Sequence, residues 1–347
     1  MTASPHTTRS GYIFPVLLIL LFVVSVISIG CGAVSISISE MASSLSKLFS
    51  SASTDMSLNE RIFLEIRLPR VILCLFVGAS LASGGVLMQA LFRNPIVEPG
   101  LIGTSSGAAF GAAFYFVLGA TLNFQAGEWI LPIAACLGGM FSTLLVFALS
   151  RSRETNKSSV VLILLTGIAI NALFLSAVGF LSYIARDPQA RSITFWNMGT
   201  LSGANWHSVM FVGISTITCI FISLRYAKQL NALMLGEEEA HYLGVNIRKL
   251  KLRVICVNVI MVAIATAFVG VISFVGLIVP HLLRILKGSD NRFLLINSTL
   301  LGALLLCLSD LTARLLLAPA ELPIGIVTSA VGVPVFIILL RKKNYLF

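Results

Sequence analysis

Long apolar runs separated by short polar clusters make up most of this chain. The runs fall at 14–30, 71–92, 101–122, 129–149, 160–184, 208–224, 252–286, 293–317 and 323–340. About 20 such residues carry a helix across the hydrocarbon of a bilayer. The runs are continuous, whereas a transmembrane barrel strand would alternate apolar and polar at every second position. The pattern therefore predicts an all-α integral membrane protein, a single transmembrane domain over 1–347. The run 252–286 is too long for one crossing, and Gly270 and Gly276 offer places to break it into 252–269 and 270–286. The first run follows a segment whose only Lys or Arg is Arg9 and is closed by no small-residue cleavage pattern, so it reads as a retained span and not a signal peptide.

Charge decides between nine crossings and ten. With ten transmembrane helices and both termini cytoplasmic, Arg9, Arg93, Arg151, Arg153, Lys157, Arg225, Lys228, Arg248, Lys249, Lys251, Arg253, Arg284, Lys287, Arg292, Arg341, Lys342 and Lys343 face inward, 17 of the 24 Lys and Arg. Lys47, Arg61, Arg67, Arg70, Arg186, Arg191 and Arg314 remain outside. That asymmetry is the one membrane insertion imposes on short loops. The formal net charge of +10 then reports topology, and a nucleic-acid partner is not needed to account for it.

Composition agrees: 57% of residues are hydrophobic, 11% are charged, and the mean hydropathy is +0.97. Cys31, Cys74, Cys136, Cys219, Cys256 and Cys307 are scattered without a CxxC, which fits inert thiols rather than disulfides or metal ligands. His6, His207, His241 and His281 are dispersed too widely to share a metal. The chain has no GxxxxGK[ST] phosphate loop, HExxH or GxSxG. An enzymatic engine is therefore not expected, and neither is a cofactor bound by this chain.

Three consecutive glutamates stand out among only 14 carboxylates. They lie in LNALMLGEEEAHYLGV, in the cytoplasmic segment 226–251. Leu230, Leu233, Met234, Ala240 and Leu243 recur there at helical spacing with a glycine at each of two turns, predicting two short helices outside the bilayer. In the spans, Asp310 and Arg314 are four residues apart on one helix face, an intramembrane pair able to neutralise itself or to serve function. The loops FRNPIVEPG (92–100) and AELPIG (320–325) read as helix terminations. GASLASGGVLMQ, GTSSGAAFGAAF and GIAINALFLSAVG are dense in small residues, which permit close helix packing or line a wide path.

Taken in order, RLPRVILCLFVGASLASGGVLMQALFRNPIVEPGLIGTSSGAAFG, FWNMGTLSGANW, GEEEAHYLGV, GVISFVGLIVPHLLR and ELPIGIVTSAVGVPVFIILL cover most of the chain from Arg67 onward. Together they resemble the permease subunits of bacterial ABC importers for ferric siderophores, haem and cobalamin. The resemblance implies a ten-helix bundle in the bacterial cytoplasmic (inner) membrane, working as a homodimer with the path at the dimer interface. It implies two further partners, a dimeric ATPase that uses ATP and Mg, and a periplasmic or lipid-anchored substrate-binding protein. It implies that Gly236, Glu237, Glu238, Glu239, Ala240, Leu243 and Gly244 form the element coupling to the ATPase, with the glutamates facing basic residues there. It also implies that Arg67, Arg70 and Arg314 dock the binding protein. Iron systems are the more numerous in that family, which favours an iron chelate, siderophore or haem, over cobalamin. An ion-gradient-driven transporter would instead need mid-membrane carboxylates, and a structural anchoring subunit would need no path.

Overall fold

The computed structural model describes residues 12–32, 34, 36–49, 57–119, 127, 129–150 and 160–341; Arg9, His6, Arg151, Arg153, Lys157, Lys342, Lys343 and residues 120–122 of the third apolar window lie outside them. Among the described residues every regular element is helical. In chain order they are α1 (Ile13–Gly30), α2 (Ile38–Phe49), α3 (Leu58–Arg61), α4 (Leu68–Phe92), α5 (Thr104–Phe114), α6 (Ile130–Leu149), α7 (Val160–Ile184), α8 (Asp187–Met198), α9 (Trp206–Leu235), α10 (Glu237–Tyr242), α11 (Ile247–Val269), α12 (Val275–Lys287), α13 (Asn291–Leu316) and α14 (Ile324–Arg341). A wider turn at Ile62–Arg67 joins α3 to α4 without a break. Seven of these helical runs are long and apolar enough to cross a membrane, so the chain is a multi-pass membrane protein.

Helix α4 is the centre of the bundle. Its apolar window is 83% buried, against 11% for α1, and it is apolar all round, as a helix enclosed by other helices must be. Small residues set its approach to neighbours. A Cβ on Gly78 would run into the Gly302 carbonyl oxygen on α13, and one on Gly85 would run into the Gly276 carbonyl oxygen on α12. Both obstacles are backbone, so no side-chain rotation relieves them, and the stripe in GASLASGGVLMQ is a packing surface. Apolar side chains on α1, α6 and α7, among them Phe22, Leu144, Leu165 and Phe180, face outward, as lipid contact requires.

Three sequence expectations change. The segment 226–251 does not hold two short helices in a loop: α9 continues to Leu235, α11 starts at Ile247, and α10 alone is short. The reason is length. Thirty residues make a helix of about 45 Å, longer than the roughly 30 Å of hydrocarbon, so the polar end of α9 extends beyond the apolar layer. The window 71–92 is the end of a continuous helical run from Leu58.

The third change concerns 270–286. Residues 270–274 are non-helical, with left-handed φ at Gly270 (76°) and Phe274 (70°), and α12 begins only at Val275. Gly276 lies against Gly85, seven residues before the end of α4 and so about 11 Å inside it. Pro99, in the turn before α5, meets Gly84 at the same depth. Non-helical backbone is tolerated there because the protein itself satisfies it. Thr200 N donates to Val269 O at 2.8 Å, Phe274 N donates to Glu98 Oε1 at 2.9 Å, and Ile324 N donates to Gly199 O at 3.1 Å. Pro280 has no N–H for the Gly276 carbonyl, and Gln89 Nε2 from α4 reaches that oxygen at 3.3 Å and the Leu277 oxygen at 3.2 Å.

Candidate functional site

Two polar constellations lie at opposite ends of the bundle. At the end where α4 begins and α13 finishes, Asp310 bridges two arginines. Its Oδ1 accepts from Arg70 Nε at 3.1 Å and Nη2 at 2.9 Å, and its Oδ2 accepts from Arg314 Nε at 2.9 Å. Arg70 Nη1 also donates to both carboxylate oxygens of Glu321, each at 2.9 Å. Arg314 turns its remaining donors to α1, reaching Cys31 O at 2.8 Å, Ser28 O at 2.9 Å and Ser28 Oγ at 2.6 Å. Arg67 Nη1 joins at Cys31 O, 3.0 Å. The carbonyls at the end of α1 have no intrahelical partner, and a cation there also suits the helix dipole.

Asp310 is 1% exposed and Arg314 4%. A buried ion network of this kind is costly to assemble and costlier to break, because removing one member strands its neighbours' charges away from water. Two arginines against Asp310 and Glu321 leave the inner cluster neutral, with Arg67 as an added cation at its edge. The docking expectation for Arg67, Arg70 and Arg314 meets a different geometry. All three are buried and donate to this chain's own groups, so none presents an outward cation in this structure. Of the other cations assigned to the outer side, Arg61, Arg186 and Arg191 are exposed. Sequence reasoning missed Glu321, which AELPIG offered only as a helix-terminating loop, and Glu98, hidden in FRNPIVEPG. A carboxylate next to a proline-marked break in an apolar chain was the available signal.

At the other end, α9 stops at Gly236, whose φ of 149° and ψ of 158° turn the chain out of the helix. Glu237 is held by Lys251 of α11 at 2.8 Å, whereas Glu238 and Glu239 are exposed. Leu230, Leu233 and Ala240 are fully buried in the main core and fasten α10 to α9. Leu243 does not join them: it is 63% exposed beside Tyr242 at 87%. The five helix-spaced apolar residues thus divide, with three anchoring the element, Met234 half-buried and Leu243 presented outward. Val245 N donates to Ala240 O at 3.0 Å while Gly244 takes φ 80°, which closes α10 with the left-handed turn that favours glycine. The result is a short knob carrying two exposed carboxylates, an aromatic ring and a leucine.

The chain is similar to known proteins over most of its length. Residues 18–342 match the FecCD transport family. The chain is 44% identical over 330 residues to the hemin transport system permease protein HmuU of Yersinia pestis, covering 94% of this chain and 95% of that one. It is 36% identical over 288 residues to the vitamin B12 import system permease protein BtuC of Vibrio vulnificus, covering 83% and 85%. Among solved structures, an inward-facing conformation of a metal-chelate type ABC transporter superposes with a TM-score of 0.82 at 34% identity, covering 95% of this chain and 99% of the other. The chain therefore belongs to the FecCD transport family, the permease family that its sequence blocks resemble.

Proposed function

We propose that this chain is the membrane subunit of an ATP-driven importer carrying haem across a bacterial cytoplasmic membrane. The observation that carries the substrate is the 44% identity to a hemin permease along nearly the full length of both chains. In this reading the chain crosses ten times: seven long helices, α14, and two shorter elements, α5 with its extension to Gly119 and α12 with the non-helical residues 270–274. Both termini then lie in the cytoplasm, α10 faces inward and the Asp310 cluster faces outward.

Transport in this reading is alternating access in a homodimer, biased from both ends. A substrate-binding protein delivers the chelate from outside. The partner ATPase dimer binds and hydrolyses ATP inside, and α10 seats in its groove. Tyr242 and Leu243 supply the apolar anchors of such a contact, and Glu238 and Glu239 supply register against basic residues. Glu237 is not free for that purpose, since Lys251 already holds it. No group in this chain has to transfer phosphate.

The test is uptake into proteoliposomes containing this chain, its ATPase and its binding protein. Haem, a ferric siderophore and cobalamin are offered separately with ATP. ATP-dependent accumulation of haem alone is the expected result. Cobalamin uptake in its place moves the chain to the chemistry of its vitamin B12 relative. Uptake driven by an ion gradient without ATP overturns the reading.

A further inference from the structure

The last turns of α9 are tied to the junction between α12 and α13 by a compact set of hydrogen bonds. Asn231 Nδ2 donates to Asp290 Oδ1 at 2.8 Å, and Asn231 Oδ1 accepts from both Asn291 N and Asn291 Nδ2 at 2.8 Å. The same Asp290 oxygen caps α13 through Arg292 N at 3.1 Å. Asn231 lies five residues before Gly236, the pivot into α10, and Asp290 lies three residues after the end of α12. Asn291 is fully buried. Both polar atoms of the Asn231 side chain are thus committed across the gap.

Helix α12 is held at its other end as well. Gln89 serves the carbonyl that Pro280 leaves open, and Glu98 accepts from Phe274 N. Both partners belong to α4 or the turn that follows it. The bonds reach the first residues of α13, so a shift of the α9 end passes to the start of α13 and through the short link 288–290 to the end of α12, whereas α10 itself packs chiefly on α9 and α11.

Resting on the reading of α10 as the ATPase-docking element, we infer that Asn231 is a positioning residue for ATP-driven transport. With Asp290 and Asn291 it transfers the movement of α10 to α12. Asn231→Asp keeps the size of the side chain, loses the donor to Asp290 and sets two carboxylates together. Asn231→Asp with Asp290→Asn removes the paired carboxylates and restores the cross-link with reversed polarity: turned so that its NH2 faces position 231, the amide introduced at position 290 donates to the carboxylate there, at the expense of the bond that the same atom position makes with Arg292 N.

The experiment is hydrogen exchange of the permease with its ATPase, with and without ATP, reading the segments 237–242 and 275–287. In the wild type, ATPase is expected to protect 237–242 and ATP to change exchange in 275–287. Asn231→Asp is expected to keep the first effect and to reduce the second about tenfold, a loss of the size found for hydrogen bonds to a charged group. The double variant is expected to restore it. Should Asn231→Asp fail to yield a folded complex, Asn231→Ala, which removes the bonds without adding charge, is read in the same way. An unaltered ATP response in the single variant overturns the inference, as does a response still missing in a double variant that binds ATPase, or no ATP response in the wild-type segment 275–287. Absence of protection at 237–242 in the wild type would instead reject the docking reading beneath it.

Discussion

The two ends of the bundle use charge in opposite ways. At the Asp310 end, three arginines turn inward and, with buried Asp310 and the partly exposed Glu321, bind three helices and a loop to one another. At the α10 end, two of three glutamates turn outward, and Leu230, Leu233 and Ala240 are buried beneath them. Both ends read alike in sequence, as charged clusters beside span ends that suit a partner. The difference lies in what surrounds them. A guanidinium at the mouth of a helix bundle finds orphaned carbonyls and a neighbouring aspartate, while beyond the end of a 30-residue helix Glu237 finds Lys251 and Glu238 and Glu239 stay exposed.

The largest expected effect breaks the first end. Asp310→Ala leaves Arg70 and Arg314 without their shared counter-charge and should cost about 3–5 kcal/mol, read as a large fall in the unfolding midpoint of detergent-solubilised protein. A wild-type midpoint would show that the cluster does not hold the helices. Next comes Arg314→Lys, which retains the charge but loses the fork that reaches α1 while holding Asp310. A loss of about 1–3 kcal/mol is expected, with increased proteolytic access near Ser28, and full stability would show that charge alone suffices.

Glu237→Ala sharpens the contrast from the other side. The Lys251 pair is half in water, so its removal should change stability by no more than about 1 kcal/mol. A loss matching that of Asp310→Ala would erase the distinction between the ends. The smallest effect is one of pH. The Glu40 carboxyl is held below its ordinary value of 4.5 by the hydrogen bond from Asn59 and by bonds from Ser37. Its contribution is fully present above about pH 4.5 and is lost as pH falls through the lowered value, so Asn59→Ala should flatten the acid limb of a stability profile and leave its shape at neutral pH untouched. A change confined to neutral pH would contradict that.

Much of the fold was legible, because hydropathy acts on whole segments. Each apolar window carries a helix, and the glycine at 270 does break the seventh. What escaped is set by tertiary partners. The non-helical stretch 270–274 depends on Glu98, distant in sequence, and α12 tolerates Pro280 because Gln89 lies opposite. The direction in which a side chain points was equally hidden. Leu230, Leu233, Ala240 and Leu243 share a spacing, yet α10 ends at Tyr242, so Leu243 in its closing turn leaves the core while Ala240 stays in it. For Arg67, Arg70 and Arg314, the sequence shows a position near a span end but not the carbonyls of α1 and the carboxylates that draw them inward.

The most direct test of the account is binding of the ATPase to a permease carrying Tyr242→Ala and Leu243→Ala, measured together with its unfolding midpoint. Both side chains are exposed, so the midpoint should remain that of the wild type, while affinity for the ATPase falls by about tenfold or more, as loss of buried anchors produces. Wild-type affinity in a folded double variant would contradict the assignment of α10 as the coupling element.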